Sequence, residues 1–372
     1  MKEALHMKHY DIAAYIWPAY TGDEPRTRMF WEEGIGEWQT VKNMQPKPGY
    51  VWNRKPLWGY VNEADPNVMS MQIDAALSHG VNVFIYDWYW YDERPFLENC
   101  LNDGFLKAPN NDQMKFYIMW ANHDANYTWD KRNAGKLDTT IWKGTVGRKQ
   151  FEIIGRRWIE QYFVKDNYYR IDGKPVVSIY EMNNFVNGLG GVEEAMDAMK
   201  WLDLEAKAAG LSGVHFQFVR WNGKSENITG VDGEVMETNA ALTVKMGFSS
   251  LTHYQFVHFA DIDRDYCKIM QDVKKEWAKI KEEFHIPYYP HVSIGWDNNP
   301  RFNEFRPGVV KNNTPEEFEK ALREAKAFAD ESGVSLITIN SWNEWTETSY
   351  LEPDNMYGYG YLEAIKKVFK NA

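Results

Sequence analysis

Short apolar runs alternate with longer amphipathic stretches along most of the chain. The short runs predict eight strands, at residues 11–17, 81–88, 115–122, 175–181, 214–221, 250–256, 288–296 and 334–342. Most of these runs are continuously apolar, which is typical of strands that are buried on both faces of a parallel sheet. The pattern therefore favours a parallel sheet whose two faces are both covered.

The amphipathic stretches between the runs predict helices. They lie at residues 66–80, 151–163, 192–210, 265–284 and 314–333. Three of them end on a glycine, at Gly80, Gly210 and Gly333, shortly before the next predicted strand. Because glycine commonly closes a helix, this arrangement indicates repeated strand–helix units.

Eight such units without a Pro/Ser-rich linker predict a single (β/α)8 TIM barrel of the α/β class, forming one domain over residues 1–372. A doubly wound open sheet is the alternative. That fold usually carries a Gly-rich phosphate loop after its first strand, and WPAYTGDEPR (17–26) is not such a loop. We expect the long first connection, residues 18–67, to form an elaborated loop at the C-terminal face of the barrel.

The charge balance narrows the range of binding partners. With 42 basic and 53 acidic residues, the chain has a net charge of −11, which disfavours nucleic acids and anionic membrane surfaces. No stretch reaches the roughly 18 apolar residues of a membrane span, so we expect no membrane insertion. Composition leaves the oligomeric state open.

The N-terminal segment has no apolar core followed by a small-residue cleavage site, so no secretory signal is visible. A chain trimmed of its signal would look the same, which leaves periplasmic, cell-surface and cytoplasmic locations open. The two cysteines, Cys100 and Cys267, form neither a disulfide framework nor a metal-binding spacing. The sequence therefore predicts no cofactor and no metal site.

Aromatic residues make up 16% of the chain, and such residues most often fill protein cores. Here many stand beside carboxylates, amides and hydroxyls where predicted strands end, as in YDWYWYDERP (86–95) and MWANHDANYTW (119–129). A sugar ring offers an apolar CH face and a rim of hydroxyl groups, so it needs both kinds of contact. These clusters indicate a carbohydrate as the binding partner.

The ends of the predicted strands supply the candidate site residues, because barrel enzymes build their active sites at the C-terminal ends of the strands. Taken singly, each of these side chains also has a structural explanation, and their convergence carries the prediction. We predict that the substrate contacts Trp17, Tyr86, Asp87, Trp88, Trp90, Trp120, Asn122, His123, Tyr180, Gln217, Trp221, Tyr254, His291, Trp296, Asn343 and Tyr350.

Glu344 and Glu347 in SWNEWTETSYLEP (341–353) are the candidate catalytic pair. If the chain turns helically after Asn343, residues three apart face the same side, with Cβ atoms about 5–6 Å apart. Two carboxyls sharing a small space divide into a protonated acid and an ionised base. The alternative is that both glutamates cap the turn or pair with arginines.

Competing motifs are weak. DIDRD (261–265) imitates a calcium loop, but Tyr266 stands where that loop requires glycine, so the segment predicts a helix start. GLGG (188–191) predicts a turn before a helix. The chain contains no HExxH, GxSxG or Walker motif.

The run SWNEWTETSYLEP resembles the WNEWxEGxxxEP signature of the endo-α-mannosidases of glycoside hydrolase family 99 and of the related WbsX-like proteins. Four further segments resemble WbsX-like motifs in the same order: WEEGIGEWQTV (31–41), GVNVFIYDWYWYDERPFLE (80–98), MWANHDANYTW (119–129) and YYRIDGKPVVSIY (168–180). The resemblance covers nearly the whole chain. It implies a (β/α)8 barrel, in agreement with the strand pattern.

Carried over by position, the resemblance implies that Glu344 is the general base and Glu347 the general acid. In the family the base is thought to deprotonate the substrate's own 2-hydroxyl, which then displaces the leaving group through an anhydrosugar. Two positions depart from the pattern, since Thr348 replaces a glycine and His123 replaces a glutamate.

We therefore expect a glycoside hydrolase that cleaves an oligo- or polysaccharide in the manner of an endo-α-mannosidase. WbsX-like proteins have also been named glycosyltransferases, so a transferase of polysaccharide biosynthesis is the second hypothesis. A non-catalytic carbohydrate-binding barrel is the third.

Overall fold

The computed structural model of the protein describes residues 9–221, 227–230 and 233–370. Its centre is formed by the strands β1 (Asp11–Ile16), β2 (Val83–Tyr91), β3 (Lys115–Trp120), β4 (Lys174–Ile179), β5 (His215–Arg220), β6 (Ser250–His253), β7 (His291–Ser293) and β8 (Leu336–Asn340). Each strand overlaps one of the predicted runs. All eight predicted strands are therefore confirmed.

The eight strands close into a barrel. Their order in the sheet is β6-β5-β4-β3-β2-β1-β8-β7, and neighbouring strands in this order are parallel. Leu251 in β6 bridges to Tyr288, just before β7, and joins the two ends of the sheet. The predicted (β/α)8 barrel is thus confirmed, because the doubly wound alternative would leave both sheet edges open.

Helices connect the strands on the outside of the barrel. They are α1 (Trp38–Lys42), α2 (Pro66–His79), α3 (Arg148–Trp158), α4 (Met182–Leu189), α5 (Val192–Ala208), α6 (Ala240–Met246), α7 (Tyr266–Glu283), α8 (Pro315–Ser332) and α9 (Gly360–Phe369). The five predicted helical stretches correspond to α2, α3, α5, α7 and α8. Within the described ranges, no helix combines the length and the apolar character that crossing a bilayer requires.

Two helix ends show why glycine precedes the strands. Gly80 follows α2 with a φ of 98°, and Gly333 follows α8 with a φ of 71°. Both angles lie in the left-handed region, which glycine enters without a penalty from a Cβ atom. The chain therefore leaves each helix sharply and turns toward β2 or β8.

A belt of tryptophan rings fills the space between the sheet and α3. Trp158 of α3 packs edge-on against Trp88 and Trp120, with ring centroids 5.3 and 5.6 Å apart, and all three rings are at most 2% exposed. Buried rings of this size contribute a large share of the hydrophobic free energy of folding. This part of the core lies outside the barrel strands, not inside them.

Short antiparallel pairings extend the barrel. Arg94–Phe96 pairs with β2, Arg170–Ile171 with β4, Ala125–Asn126 with Thr140–Trp142, Ile228–Thr229 with Val235–Met236, and Asn343–Glu344 with Ser349–Tyr350. The first connection reaches the last of these ribbons, where Trp52 donates its indole N–H to Thr348 Oγ1 at 2.9 Å. The expectation of an elaborated first loop at the C-terminal face is therefore confirmed.

The two weak motifs have structural roles. Asp265, the last residue of DIDRD, immediately precedes α7 and has extended backbone angles, as predicted for a helix start. Gly190 and Gly191 of GLGG have positive φ angles between α4 and α5. Neither segment contributes to the barrel mouth.

Candidate active site

A pocket of about 340 Å³ opens at the C-terminal face of the barrel. The end of every strand from β1 to β8, or the loop that follows it, supplies a side chain to its wall. In strand order these are Trp17, Asp87, Ala121, Tyr180, Trp221, Tyr254, Arg301 and Glu344, and Tyr89, Met119, His123, Asp124, Asn126, Thr128, Trp129 and Glu347 complete the lining. The pocket therefore has the location at which barrel enzymes carry their active sites.

The chain after β8 turns so that both glutamates reach the pocket. Glu344 ends the first strand of the short ribbon, and residues 345–347 form one turn of 3-10 helix. Thr348 then takes a φ of 54° and starts the return strand. Glu344 is 4% exposed and Glu347 is 8% exposed, and both line the pocket. The predicted turn and the shared orientation of the two carboxyls are observed.

Arg301, from the loop after β7, lies among three carboxyl groups. Its Nη1 is 2.6 Å from Glu347 Oε1, its Nε is 3.0 Å from Glu37 Oε1, and its Nη2 is 3.6 Å from Glu344 Oε1. The arginine pairing considered from the sequence is therefore present, but it occurs at the pocket wall and keeps both glutamates there. One guanidinium cannot balance three ionised carboxylates, so a proton on one of them is favoured.

The surroundings of the two glutamates differ. Glu344 Oε2 accepts hydrogen bonds from the Tyr254 hydroxyl at 3.0 Å and from the Asn340 amide at 3.5 Å. Glu347 Oε2 is buried and receives a hydrogen from no donor group in the described ranges. The charge of the Glu344 carboxyl also acts on Glu347, and it favours a proton there.

This difference places the proton on Glu347. Burial raises the pKa of the Glu347 carboxyl well above its ordinary value, and the charge of Glu344 raises that pKa further. Burial also raises the pKa of Glu344, but Arg301 and the donors around Glu344 act in the opposite direction. The short contact from Arg301 to Glu347 opposes this order. Arg301 is also paired with Glu37, which divides its charge between the two carboxyls.

Asp87 brings a third carboxyl to the pocket floor. The Tyr254 hydroxyl lies 2.9 Å from Asp87 Oδ2 and 3.0 Å from Glu344 Oε2, and its single hydrogen can serve one of these acceptors at a time. Burial raises the pKa of Asp87 well above its ordinary value, and Glu344 adds to this shift. Asp87 is therefore a neutral carboxylic acid while Glu344 is ionised.

His123 contributes a neutral imidazole to the wall. Its Nδ1 lies 2.9 Å from the Asp124 carbonyl oxygen, which can only accept, so Nδ1 carries the hydrogen and Nε2 is left as an acceptor. Burial lowers the pKa of this ring. The histidine that replaces the glutamate of the WbsX-like pattern thus adds no charge to the pocket.

Eight of the predicted site residues reach the pocket. They are Trp17, Asp87, His123, Tyr180, Trp221, Tyr254, Glu344 and Glu347. Their roles in binding and catalysis remain predictions, but their common location agrees with the expected convergence of strand ends.

Four predicted rings lie on the other side of the strands. Tyr86, Trp88 and Trp90 alternate with the pocket-facing Asp87 and Tyr89 along β2, so they point outward. Tyr86 packs on Phe105, Trp90 stacks on Trp88 and donates to Gln150, and Trp120 packs on Phe151 and Phe185. The structure corrects the expectation that Tyr86, Trp88, Trp90 and Trp120 line the pocket.

Two predicted polar residues fill the barrel below the pocket. Gln217 accepts hydrogen bonds from Tyr117 at 3.2 Å and Ser178 at 2.6 Å, and His291 bonds to Thr338 and Ser293 at 2.9 Å. Both side chains are fully buried. Each has its hydrogen-bond partners inside the barrel, so their placement corrects the expectation of substrate contact.

The remaining predicted residues surround the pocket without lining it. Asn122 bonds to the backbone of Glu181, and Asn343 bonds to the backbone of Trp17. Tyr350 stacks on Trp345 with ring centroids 3.8 Å apart. Trp296 is half-buried against the core outside the pocket lining. Contact of these four side chains with a substrate stays a prediction.

The structure also adds pocket residues that the sequence did not single out, notably Arg301, Tyr89 and Trp129. Tyr89 could have been predicted from the sequence, because residues two apart in a strand face the same side and Asp87 was already a candidate. Arg301 and Trp129 come from loops, and strand ends give no signal for them. In the part of the chain that the structure describes, no three His, Cys, Asp or Glu side chains are arranged to hold a metal ion.

Comparison with known proteins gives a family match and several relatives. The family model described as glycosyltransferase WbsX matches residues 12–365. The uncharacterized protein WxcX, from two strains of Xanthomonas campestris pv. campestris, is 23% identical over 360 residues, which cover 94% of this chain and 48% of WxcX. The chain thus spans about half the length of these curated relatives.

Solved structures show where the same fold occurs. The GH99 endo-alpha-mannosidase from Bacteroides thetaiotaomicron superposes with a TM-score of 0.59 at 15% identity, covering 97% of this chain and 96% of that one. The family 1 β-glucosidase from Thermotoga maritima superposes with a TM-score of 0.50 at 13% identity, covering 98% and 97%. At these identities the likeness shows the barrel fold.

Proposed function

Because the chain belongs to the glycosyltransferase WbsX family, we propose that it is a single-domain carbohydrate-active enzyme that hydrolyses glycosidic bonds in an oligo- or polysaccharide. The observation that carries this proposal is the pair of buried carboxyls, Glu344 and Glu347, in one pocket but in unlike surroundings. Two such groups can hold an acid and a base at the same pH. A hydrolase with this fold, the GH99 endo-alpha-mannosidase from Bacteroides thetaiotaomicron, supports the choice of hydrolysis.

In this proposal Glu347 is the general acid. Its carboxyl holds a proton because it is buried beside Glu344, and it delivers that proton to the leaving oxygen as the glycosidic bond breaks. Arg301, 2.6 Å from Glu347 Oε1, then stabilises the carboxylate that remains. The same contact orients the acid before the reaction.

Glu344 is the general base. It is held ionised by Tyr254, Asn340 and Arg301, and it accepts a proton from either a water molecule or the 2-hydroxyl of the substrate. The second route is the one that the endo-α-mannosidase resemblance implies. In that route the substrate oxygen forms the new bond to the anomeric carbon, and no protein nucleophile is required.

The pocket also offers surfaces for a sugar ring. Trp17, Tyr180, Trp221 and Trp129 present aromatic faces and edges to the cavity, and Asp87, His123 and Asp124 present polar atoms. Aromatic faces suit the CH side of a pyranose, and the polar groups suit its hydroxyls. This combination supports a carbohydrate substrate over a purely apolar or purely anionic one.

The proposal is tested by digesting a library of oligo- and polysaccharides and identifying the products. Glu347→Gln and Glu344→Gln are then compared on a natural substrate and on a glycosyl fluoride of the same sugar. An activated leaving group needs no acid, so Glu347→Gln is expected to keep appreciable activity on the fluoride. Glu344→Gln is expected to lose about 10²–10⁴-fold on both substrates.

Equal responses of the two variants to leaving-group activation would contradict the assignment of acid and base. A sugar that binds to the wild type without being cleaved, with no change in either variant, would indicate a non-catalytic binding barrel. Tryptophan fluorescence titration with the same library separates these cases, because it reports binding without turnover.

The family description favours a second candidate function, transfer of a glycosyl group to an acceptor sugar. The same acid and base could serve transfer if an acceptor hydroxyl replaced water. Incubation with nucleotide sugars, with and without divalent ions, distinguishes the two. Release of nucleotide coupled to growth of an acceptor oligosaccharide would favour transfer over hydrolysis.

A further inference from the structure

A second pair of carboxyls lies behind the turn at residues 344–347, which carries the proposed acid and base and is here called the catalytic turn. Glu63, from the first connection, is fully buried, and Glu352, just after the ribbon, is 2% exposed. The Gln72 amide nitrogen donates to both groups and joins them, at 3.1 Å to Glu63 Oε1 and 2.8 Å to Glu352 Oε1. Neither residue lines the pocket, so the proposed reaction does not yet account for them.

The remaining oxygens of the pair hold the two neighbours of Glu344. The Asn343 amide donates to Glu63 Oε2 at 2.8 Å, and the Trp345 indole donates to Glu352 Oε2 at 2.5 Å. Glu344 lies between these two residues in the chain. The pair therefore holds the side chains of the residues on both sides of the proposed base.

Every oxygen of the pair accepts a hydrogen bond from a neutral donor. Glu63 accepts from Gln72, Asn343 and the Cys100 thiol, and Glu352 accepts from Gln72 and Trp345. Replacing either carboxyl by an amide therefore turns an N–H group toward one of these donors.

No arginine, lysine or histidine of the described ranges forms an ion pair with either carboxyl. The titratable groups that face the pair are Cys100, whose Sγ lies 3.9 Å from Glu63 Oε2, and Tyr86. Burial raises the pKa of both, so both are neutral. A buried carboxyl that lost its hydrogen-bond donors would destabilise the folded state, so the donors must keep their positions around the pair.

We propose that Glu63 and Glu352 are positioning residues for the catalytic turn, because the pair fixes Asn343 and Trp345 around Glu344. This inference rests on the proposed function of Glu344. Asn343 extends the effect to the opposite wall, since it accepts from the Trp17 backbone N–H at 2.8 Å and donates to the Trp17 carbonyl at 2.9 Å. One unit thereby sets the separation of the base and Trp17.

The test removes one acceptor from each carboxyl in turn. Both oxygens of Glu63 accept from an amide, so Glu63→Gln turns an N–H group toward the Gln72 or Asn343 donor and is expected to lower kcat. Glu352→Gln turns an N–H group toward a Trp345 or Gln72 donor. It is expected to lower kcat about 10–100-fold with a smaller change in KM, because the base is displaced. Glu63→Leu should resemble Glu352→Gln.

Glu24→Gln is the matched control. Glu24 is also a buried carboxyl, 8% exposed, but it bonds to Thr21 and Asn99, away from the pocket and from the pair. Its substitution is expected to leave kcat unchanged. Activity is measured per folded protein on the glycosyl fluoride that the wild type cleaves fastest. An unchanged kcat in either Glu63→Gln or Glu352→Gln would overturn the proposal.

A measurement without substrate separates this inference from the proposed function. Hydrogen exchange of the backbone amides in residues 341–350, followed by mass spectrometry, is expected to be faster in Glu63→Gln and Glu352→Gln than in Glu24→Gln. If the wild type cleaves no sugar, the proposed function fails, while the exchange rates still decide whether the pair fixes the turn. Equal exchange in the three variants would overturn the positioning role.

Discussion

Arg301 illustrates how a single residue sets the electrostatics of the site. It is 5% exposed and lies within 3.6 Å of Glu37, Glu344 and Glu347. Glu37 is further fixed by the Trp17 indole at 2.5 Å and the Thr346 hydroxyl at 2.9 Å. The guanidinium therefore links the first connection to the catalytic turn, and its charge makes an ionised Glu344 possible inside a buried pocket.

Replacing Arg301 tests this role. Arg301→Leu leaves buried carboxylates without their counter-charge, so the free energy of unfolding is expected to fall by about 3–5 kcal/mol. The pKa of Glu344 is expected to rise, because Arg301 holds it down. The acidic limb of the activity profile should then move to higher pH. Chemical denaturation and a pH–rate profile measure the two effects.

Arg157→Leu is the control for that prediction. Arg157 pairs with buried Glu98 at the outside of the barrel, away from the pocket. Its loss should lower stability without moving the pH profile. If the pH–rate profile of Arg301→Leu matches that of the wild type, Arg301 contributes to stability and does not tune the pKa of Glu344.

Thr348 provides a second prediction at this scale, because it has a φ of 54° where the WbsX-like motif has glycine. A β-branched residue pays roughly 1–2 kcal/mol in this region. Its hydroxyl accepts from the Trp52 indole at 2.9 Å and donates to the Asp297 carbonyl at 3.0 Å, each worth about 1 kcal/mol.

Thr348→Gly relieves the backbone but removes both hydrogen bonds and adds freedom to the unfolded chain. The variant is therefore expected to be no more stable than the wild type, with a loss of about 1 kcal/mol. Thr348→Ser keeps the hydroxyl and should stay near the wild type. Thermal melts of the three proteins provide the comparison, and a clear gain in stability for Thr348→Gly would show that strain outweighs the hydroxyl bonds.

The sequence could locate Glu344 and Glu347 because a single turn, three residues long, brings them together. It could not locate Arg301, since that contact joins residues 46 positions apart through a loop without a regular pattern. The outward placement of Trp88 and Trp90 was hidden for a different reason. In a strand covered on both faces, aromatic residues occur at every position, and polarity does not report the face.

At the scale of elements, β2 and β3 divide their aromatic residues between two cores. Trp88 and Trp120 meet α3 outside the barrel, whereas Tyr89 and Met119 face the pocket. The eight strands were predictable because each is a short apolar run bounded by turn residues. The residues at which the strands end were harder to predict. The seventh run spans residues 288–296, but β7 keeps regular pairing only over His291–Ser293.

This division predicts unlike outcomes for two ring deletions. Trp120→Ala opens a cavity between β3 and α3, so it should lower the free energy of unfolding by about 3–5 kcal/mol. Sugar affinity, measured on the folded fraction, should change little. Tyr89→Ala removes a ring from the pocket wall and should weaken sugar binding as well. Urea denaturation and fluorescence titration test both variants, and equal affinity losses would contradict the separation of the two cores.

At the scale of the whole molecule, buried ionisable groups of two kinds influence stability in opposite directions. Burial lowers the pKa of His215 to about 4 and that of His258 to about 3. These rings stabilise the fold above their unfolded pKa of about 6.5, and that contribution is lost as the pH falls. Burial raises the pKa of Glu24 and of Glu352 to about 7, which works in the other direction.

The carboxyls therefore determine the behaviour close to neutral pH. Their folded-state pKa exceeds the ordinary value of 4.5, so their contribution is complete below that value and is lost as the pH rises through about 7. The melting temperature is expected to fall between about pH 6.5 and 7.5 and to level off above about pH 8, where these carboxyls are ionised in both the folded and the unfolded state. The slope is at most about 1.4 kcal/mol per pH unit for each group.

Glu24→Gln should flatten this slope, since glutamine does not titrate. Differential scanning calorimetry at closely spaced pH values gives the comparison. A melting temperature that rises over the same interval would show that these carboxyls are already ionised in the folded protein.

Every strand of the barrel contributes to the pocket, and the two glutamates come from the last of them. Residues 336–339 pair with residues 11–14, so the first barrel strand to be made must wait for the eighth. During synthesis the barrel therefore stays open until its last strand has been made. A ribosome that stalls before residue 344 releases a product that lacks both carboxyls of the proposed acid and base.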